Sequence, residues 1–257
     1  MPSHRDLFTH SLSADPDRLH MAAHSHHLWP DVTRDAHLQA WDDAARLADQ
    51  KWARVLGTQW GAARAHLSRI LELPDPTTLC LAPNVHELLV RLVSAVETRP
   101  VRILSTGSEF HSFTRQVQRW VEAGQATWQT VPTEPFDTLD ERFEAAVTPR
   151  TRALFINTPS NPSGKVWSRA EMELVAEFSK RHDLFVFTDE IYEHFIFDGG
   201  EHISAASLPD MWERTITISG LSKTFSITGW RIGYAICDEK WSKAIGNFSD
   251  LVYVCAP

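Results

Sequence analysis

From residue 101 to 237 the chain alternates short apolar segments with longer helix-forming ones, and that rhythm restricts the fold more than any other feature. Strand candidates fall at 101–104, 127–131, 153–157, 184–188, 215–219 and 232–237, and helix candidates at 112–123, 139–146, 169–182 and 239–248. The strands are apolar on both faces, so they predict a mainly parallel sheet covered on both sides. Helices between parallel strands provide that cover, which gives an α/β, three-layer αβα sandwich.

Upstream of the alternation, a helical period runs over 31–56, where Leu38, Trp41, Ala45, Ala48, Trp52 and Val55 fall near one face. A second helix is expected over 59–71, stopping before Leu73-Pro74-Asp75-Pro76. Asn84 stands three residues before Glu87, a cap-and-box signature that opens an apolar helix over 88–96. Residues 1–30 are irregular and rich in histidine, so the chain divides into an N-terminal arm and helix, 1–56, and a large domain, 57–257.

With 257 residues and 43% hydrophobic content the chain can bury one sizeable core. Its net charge of -8 is interspersed, which excludes a basic nucleic-acid stripe. No apolar run approaches the roughly 18 residues of a membrane span, and the N-terminus has no signal-like apolar region. Cys80, Cys237 and Cys255 are scattered and odd in number, as expected of reduced thiols in a cytoplasmic protein. Four of the ten tryptophans, Trp29, Trp41, Trp52 and Trp60, lie in the first sixty residues, so that region is expected to cover a large surface. His20, His24, His26 and His27 lack a paired Cys or Glu and a helix to align them, so they read as part of an arm and not as a metal site.

In parallel sheets, ligands gather at the carboxyl ends of the strands. Three predicted strand ends run into unusual sequences: Asn157-Thr158-Pro159-Ser160-Asn161-Pro162-Ser163-Gly164, Asp189-Glu190-Ile191-Tyr192, and Ser219-Gly220-Leu221-Ser222-Lys223 followed by Gly229-Trp230-Arg231. A buried lysine cation costs several kcal/mol unless it is paired or neutralised, on the order of the usual burial penalty. An imine with an aldehyde cofactor would remove that cost and create a catalyst. Singly, the first run is a turn, Asp189 a strand-end acid and Arg231 a salt-bridge residue. Their order and spacing within 157–231 make the three together specific.

These runs resemble the Asn-Pro-x-Asn-Pro-Thr-Gly, Asp-Glu-x-Tyr and Ser-Lys…Gly-x-Arg motifs of class I aminotransferases, and the resemblance covers residues 150–257. Those enzymes are fold-type I enzymes that use pyridoxal 5'-phosphate (PLP). The resemblance implies an internal aldimine on Lys223, which also moves the substrate proton, and a pairing of Asp189 with the pyridinium nitrogen. It implies that Asn161 and Tyr192 bond the phenolic oxygen and that Arg231 clamps the phosphate. Many members carry a serine three residues before the lysine. Here Gly220 stands there, so Ser222, Ser219 or backbone N–H groups are expected to serve.

Residues 1–150 resemble kynureninase-related and class V PLP enzymes, through the run 79–89 and the run 103–113. That resemblance implies a phosphate site at the backbone of Asn84 and Val85, on a helix start, and stacking of Phe110 on the cofactor ring, with His111 as the competing stacker. The expected activity is amino-group transfer between an amino acid and a 2-oxo acid by a homodimer. The alternatives are a non-catalytic PLP-binding protein and a kynureninase-like hydrolase. Class I enzymes also close with a small C-terminal domain whose arginine binds the substrate carboxylate. No residue here matches that arginine, so the domain is expected to be missing and the 257-residue chain to be a poor transaminase.

Overall fold

The computed structural model describes residues 3–21, 28–97 and 99–252. His24, His26, His27 and Cys255 lie outside the described residues, as do the side chains beyond residue 246. Nine α-helices are described: α1 (Thr9–Ala14), α2 (Asp31–Leu47), α3 (Trp60–Ile70), α4 (Val85–Ser94), α5 (His111–Glu122), α6 (Leu139–Ala146), α7 (Arg169–Arg181), α8 (Leu221–Thr224) and α9 (Glu239–Val252). The seven strands are β1 (Leu79–Ala82), β2 (Val101–Thr106), β3 (Ala126–Val131), β4 (Ala153–Asn157), β5 (Phe185–Asp189), β6 (Thr215–Gly220) and β7 (Gly233–Ile236).

The strands form one sheet in the order β1-β7-β6-β5-β4-β2-β3. Strands β2 to β6 pair in parallel, and β7 runs antiparallel to both β6 and β1. The period-two geometry of a strand sends successive side chains to opposite faces. Leu154 and Ile156 of β4 therefore pack with α6 and α7, through residues such as Phe143, Met172 and Phe178. Phe155, between them, packs on the other side with Leu88 and Leu89 of α4 and Phe113 and Val117 of α5. Two apolar layers of this kind are what the doubly apolar strands require. The helices are locally specified too. Ser168 and Glu171 form a reciprocal capping box on α7, whose last turn carries Lys180 and Arg181.

Two expectations need correction. The run 31–56 is not one continuous helix: α2 ends at Leu47, Ala48 has a positive φ of 45°, and a π-helical turn follows over Ala53–Gln59. Its apolar stripe lies on the surface, with Trp41 77% and Leu38 49% exposed. Amphipathic periodicity specifies a helix and an apolar side, but not what covers it. The second correction is β1, absent from the strand candidates. It is four residues long, is followed at once by Pro83, and pairs antiparallel with β7 from Leu79↔Ile236 to Ala82↔Gly233.

The β1–β7 edge brings the start of α4 against β7. A Cβ at Gly233 would lie 2.8 Å from the Asn84 Cα and 3.0 Å from its carbonyl carbon. The neighbour is backbone and cannot swing aside. Gly233→Ala is therefore expected to cost about 1–3 kcal/mol, the usual range for overpacking. The measurement is the urea midpoint, which should fall without a change in slope. An unchanged midpoint would contradict the close approach.

Candidate active site

Parallel register sets the site. Asn157 pairs with Asp189, and Asp189 with Ile218, so the ends of β4, β5 and β6 lie side by side. Above these ends is a cavity of about 250 Å³. All nine residues singled out in the sequence border it: Asn84, Val85, Phe110, Asn161, Asp189, Tyr192, Ser222, Lys223 and Arg231. His111 is not on its wall. It lies outward and exposed, with its ring centroid 4.0 Å from that of Phe110.

Asp189 is 8% exposed. Its Oδ1 accepts the Ile191 N–H at 3.2 Å, and among the described residues no cation pairs with it. Burial pushes its carboxyl up to about 7; the Ile191 N–H opposes this and the Glu190 charge adds to it. Asn157 locks the adjoining backbone: its Nδ2 donates to the Asp189 carbonyl at 3.0 Å and its Oδ1 accepts the Asn161 N–H at 2.9 Å. Asn161 Nδ2 in turn donates to the Tyr192 hydroxyl at 3.1 Å. An amide and a phenol thus meet beside the acid, as a pair able to hold one ligand oxygen.

Lys223 sits in the short helix α8, entered directly from β6. Its Nζ lies 5.7 Å from the Tyr192 ring centroid, and among the described residues no carboxylate pairs with it. Gly220 explains the missing serine. A Cβ there would come within 2.8 Å of the Ile232 carbonyl oxygen, so only glycine fits the close β6–β7 approach. Ser219 is buried, and its Oγ donates to Glu193 Oε1 at 3.3 Å; Ser222 borders the cavity, its carbonyl accepting the Thr228 hydroxyl at 2.9 Å.

Arg231 adopts a left-handed conformation, φ 57° and ψ 56°, and its Nη1 donates to the Thr228 carbonyl at 2.6 Å. A non-glycine residue held there stores about 1–3 kcal/mol of strain and is over-determined by its surroundings. One support is the N-terminal arm: Trp29 meets Trp230 edge-on at 5.2 Å, and His37 of α2 does so at 4.3 Å. Across the cavity, Asn84 caps α4 by accepting the Glu87 N–H at 2.8 Å. The first amides of a helix have no intrahelical partner and carry its positive end. Val85 and His86, at that end, border the same cavity as Asp189 and Lys223.

Sequence reasoning missed several residues. Asn157, His86 and Glu109 border the cavity as well. Beneath Asp189 is a charge network: His202 Nε2 and Glu190 Oε2 are 2.9 Å apart, and the Tyr234 hydroxyl donates to Glu193 Oε1 at 3.0 Å. Burial pulls the His202 imidazole down, but its bond to Glu190 outweighs that and leaves it raised. The signal for Glu190 and Glu193 was their place just after a strand end; His202 lies far along the next loop and carried none.

The donor set fits pyridoxal 5'-phosphate. It offers an amine without a carboxylate partner, a buried carboxyl without a cation, an amide–phenol pair, and a helix start beside an arginine. The close backbone packing at Gly220 and Gly233 holds these groups at one place.

Comparison with known proteins agrees. The family described as aminotransferase class I and II matches residues 26–257. Kynurenine–oxoglutarate transaminase 1 of Mus musculus is 50% identical over 109 residues, which are 42% of this chain and 24% of that protein. The crystal structure of an aromatic aminotransferase from Pyrococcus horikoshii OT3 superposes with a TM-score of 0.67 and 34% identity, over 75% of this chain and 53% of that one. Another crystal structure, of Pyrococcus protein-A1, matches over all of this chain and 66% of its own, with a TM-score of 0.74 and 27% identity. The matched segments thus span about a quarter of the length of these curated relatives. Among the described residues, no helix is long and apolar enough to cross a membrane.

Proposed function

The chain belongs to the aminotransferase class I and II family, and from that we propose that its cavity holds pyridoxal 5'-phosphate on Lys223 and serves amino-group transfer between an amino acid and a 2-oxo acid. The observation that carries this reading is the meeting of Lys223, Asp189, the Asn161–Tyr192 pair and Arg231 around one cavity at the ends of neighbouring strands. The names of its relatives, a kynurenine–oxoglutarate transaminase and an aromatic aminotransferase, support the substrate classes.

When bound, the cofactor supplies an electron sink conjugated to the substrate Cα. The chain's own residues do the rest. Lys223 Nζ anchors the cofactor, then takes the Cα proton and returns it, as a general base and acid. Asp189, as an anion, holds a proton on the ring nitrogen. Asn161 and Tyr192 hold the ring oxygen, and Phe110 sets the ring plane by stacking. Arg231 and the amides at the start of α4 bind the phosphate, charge against charge and dipole. Asn84, Val85 and Phe110 line the cavity, which supports the phosphate and ring contacts expected of them; the class I and II match, over residues 26–257, favours that family over the kynureninase-related branch for this half as well.

The same proposal divides the chain into an arm, 1–56, and a cofactor-binding domain, 57–257, acting in the cytoplasm as a homodimer. Support for the dimer is the apolar face of α2, where Leu38 and Trp41 are 49% and 77% exposed. Sedimentation should give a dimer. The test of function is transfer of the amino group from an aromatic amino acid to 2-oxoglutarate by the PLP-loaded protein. Glutamate is the expected product. Cleavage of kynurenine to anthranilate without glutamate would favour the hydrolase, and cofactor binding without either product would favour a binding protein.

A further inference from the structure

Glu109 stands in the loop between β2 and α5, one residue before Phe110, and borders the cavity. It is 5% exposed. Thr106 of β2 donates its hydroxyl to Glu109 Oε1, and Oε2 is buried with no hydrogen-bond partner. A buried carboxylate left half-satisfied is costly, and it needs a use or a proton. Asp189 lies close enough for its negative charge to act on Glu109. The other titratable groups on the cavity wall are His86, Tyr192, Lys223 and Arg231.

We propose that Glu109 is a positioning residue of the cofactor site: a second buried acid that stays neutral while Asp189 is anionic and, once ionised, adds its charge to the hold on a ring-nitrogen cation. The inference rests on the reading of the cavity as a PLP site, and no assigned role in that reading uses Glu109. Two carboxyls in one enclosed space do not ionise independently, because the first anion disfavours the second. Asp189 ionises first, at about 7. Burial, with the Asp189 charge added and the Thr106 hydroxyl opposing, pushes Glu109 up to about 8. Glu109 therefore gains its charge after Asp189, since the Asp189 anion is itself one cause of the rise. The acid acts through charge at a distance: Thr106 belongs to β2 and Asp189 to β5, with β4 between them.

The test has two readouts. The first is titration of the carboxyl carbons by 13C NMR in cofactor-free protein. A glutamate signal absent from Glu109→Gln should titrate above neutral pH, move to lower pH in Asp189→Asn, and move to higher pH in Thr106→Val. The second is the dissociation constant for PLP at about pH 6.5 and 9.5. Between these, wild type should gain affinity several-fold relative to Glu109→Gln, as expected of one added charge at partly screened range. Glutamine keeps the shape of the neutral acid, so a folding defect is not built into the variant. A glutamate titration that ignores Asp189→Asn overturns the coupling, and parallel PLP affinities at both pH values overturn the role. If PLP binds neither protein, the cofactor reading falls and the role of Glu109 with it, while the NMR coupling, read without cofactor, tells that failure apart from an error about the two acids.

Discussion

Asp189→Asn is expected to make the cofactor-free protein more stable near pH 8 while removing the chemistry of the site. The argument runs through linkage. The Asp189 carboxyl is raised from 3.8 to about 7 in the folded chain. Between those values the native state keeps a proton that the unfolded chain has lost, so stability falls as pH rises through the window, and the full penalty stands above it. Three units correspond to about 4 kcal/mol, at roughly 1.36 kcal/mol each. Asparagine carries no such penalty. The variant should therefore melt higher by on the order of 10 °C near pH 8, at 2–4 °C per kcal/mol for a chain of this size, and the gap should close as pH falls below 3.8, where Asp189 is protonated in both folded and unfolded chains. A cation seated against Asp189 removes the same penalty in the wild type, so PLP should stabilise wild type more than the variant. The cost is functional. Without the anion, the proton on the ring nitrogen loses its partner, and exchange of the substrate α-proton with solvent should slow by about one to two decades, the worth of a charged hydrogen bond. An unchanged melting temperature with unchanged exchange would make Asp189 an ordinary strand-end acid. Stability given up to keep a functional charge is a common exchange at active sites.

Much of this was legible in the sequence, for a local reason. Strand ends, and the loops that leave them, are contiguous in the chain, so Asn157 to Asn161, Asp189 to Tyr192 and Ser219 to Arg231 each report their own place. Apolar periodicity predicted six of the seven strands and the handover from β6 to Lys223. What periodicity cannot report is partnership. β1 is too short to show a period, and it becomes a strand because β7 is there to pair with it. The stripe of α2 has the pattern of a buried face and lies exposed. Glu109 is the clearest case. A glutamate between Ser108 and Phe110 looks like any loop acid, and only the fold buries it on the cavity that Asp189 also borders.

Lys223→Ala is expected to have the largest effect. The substitution removes both the anchor for the cofactor and the group that shuttles the Cα proton. Loss of a positioned general base alone is typically worth about 10²–10⁴ in rate. Little compensation is available, because Asp189 and Glu109 serve the ring side of the cavity and Arg231 is held at the Thr228 carbonyl. The backbone of α8 should be undisturbed, since Lys223 is half-exposed and makes no ion pair among the described residues, so urea midpoints of the cofactor-free proteins should agree within about 0.5 kcal/mol, as for most surface substitutions. A large loss of activity with unchanged stability separates a chemical role from a structural one.

The central claim, that this cavity carries PLP on Lys223, is tested most directly by borohydride reduction of the PLP-loaded wild-type chain followed by peptide mapping. The account predicts one reduced pyridoxyl group, on the peptide containing Lys223, and no site-specific label in Lys223→Ala. A label on another lysine, or none on the folded wild type, would contradict it.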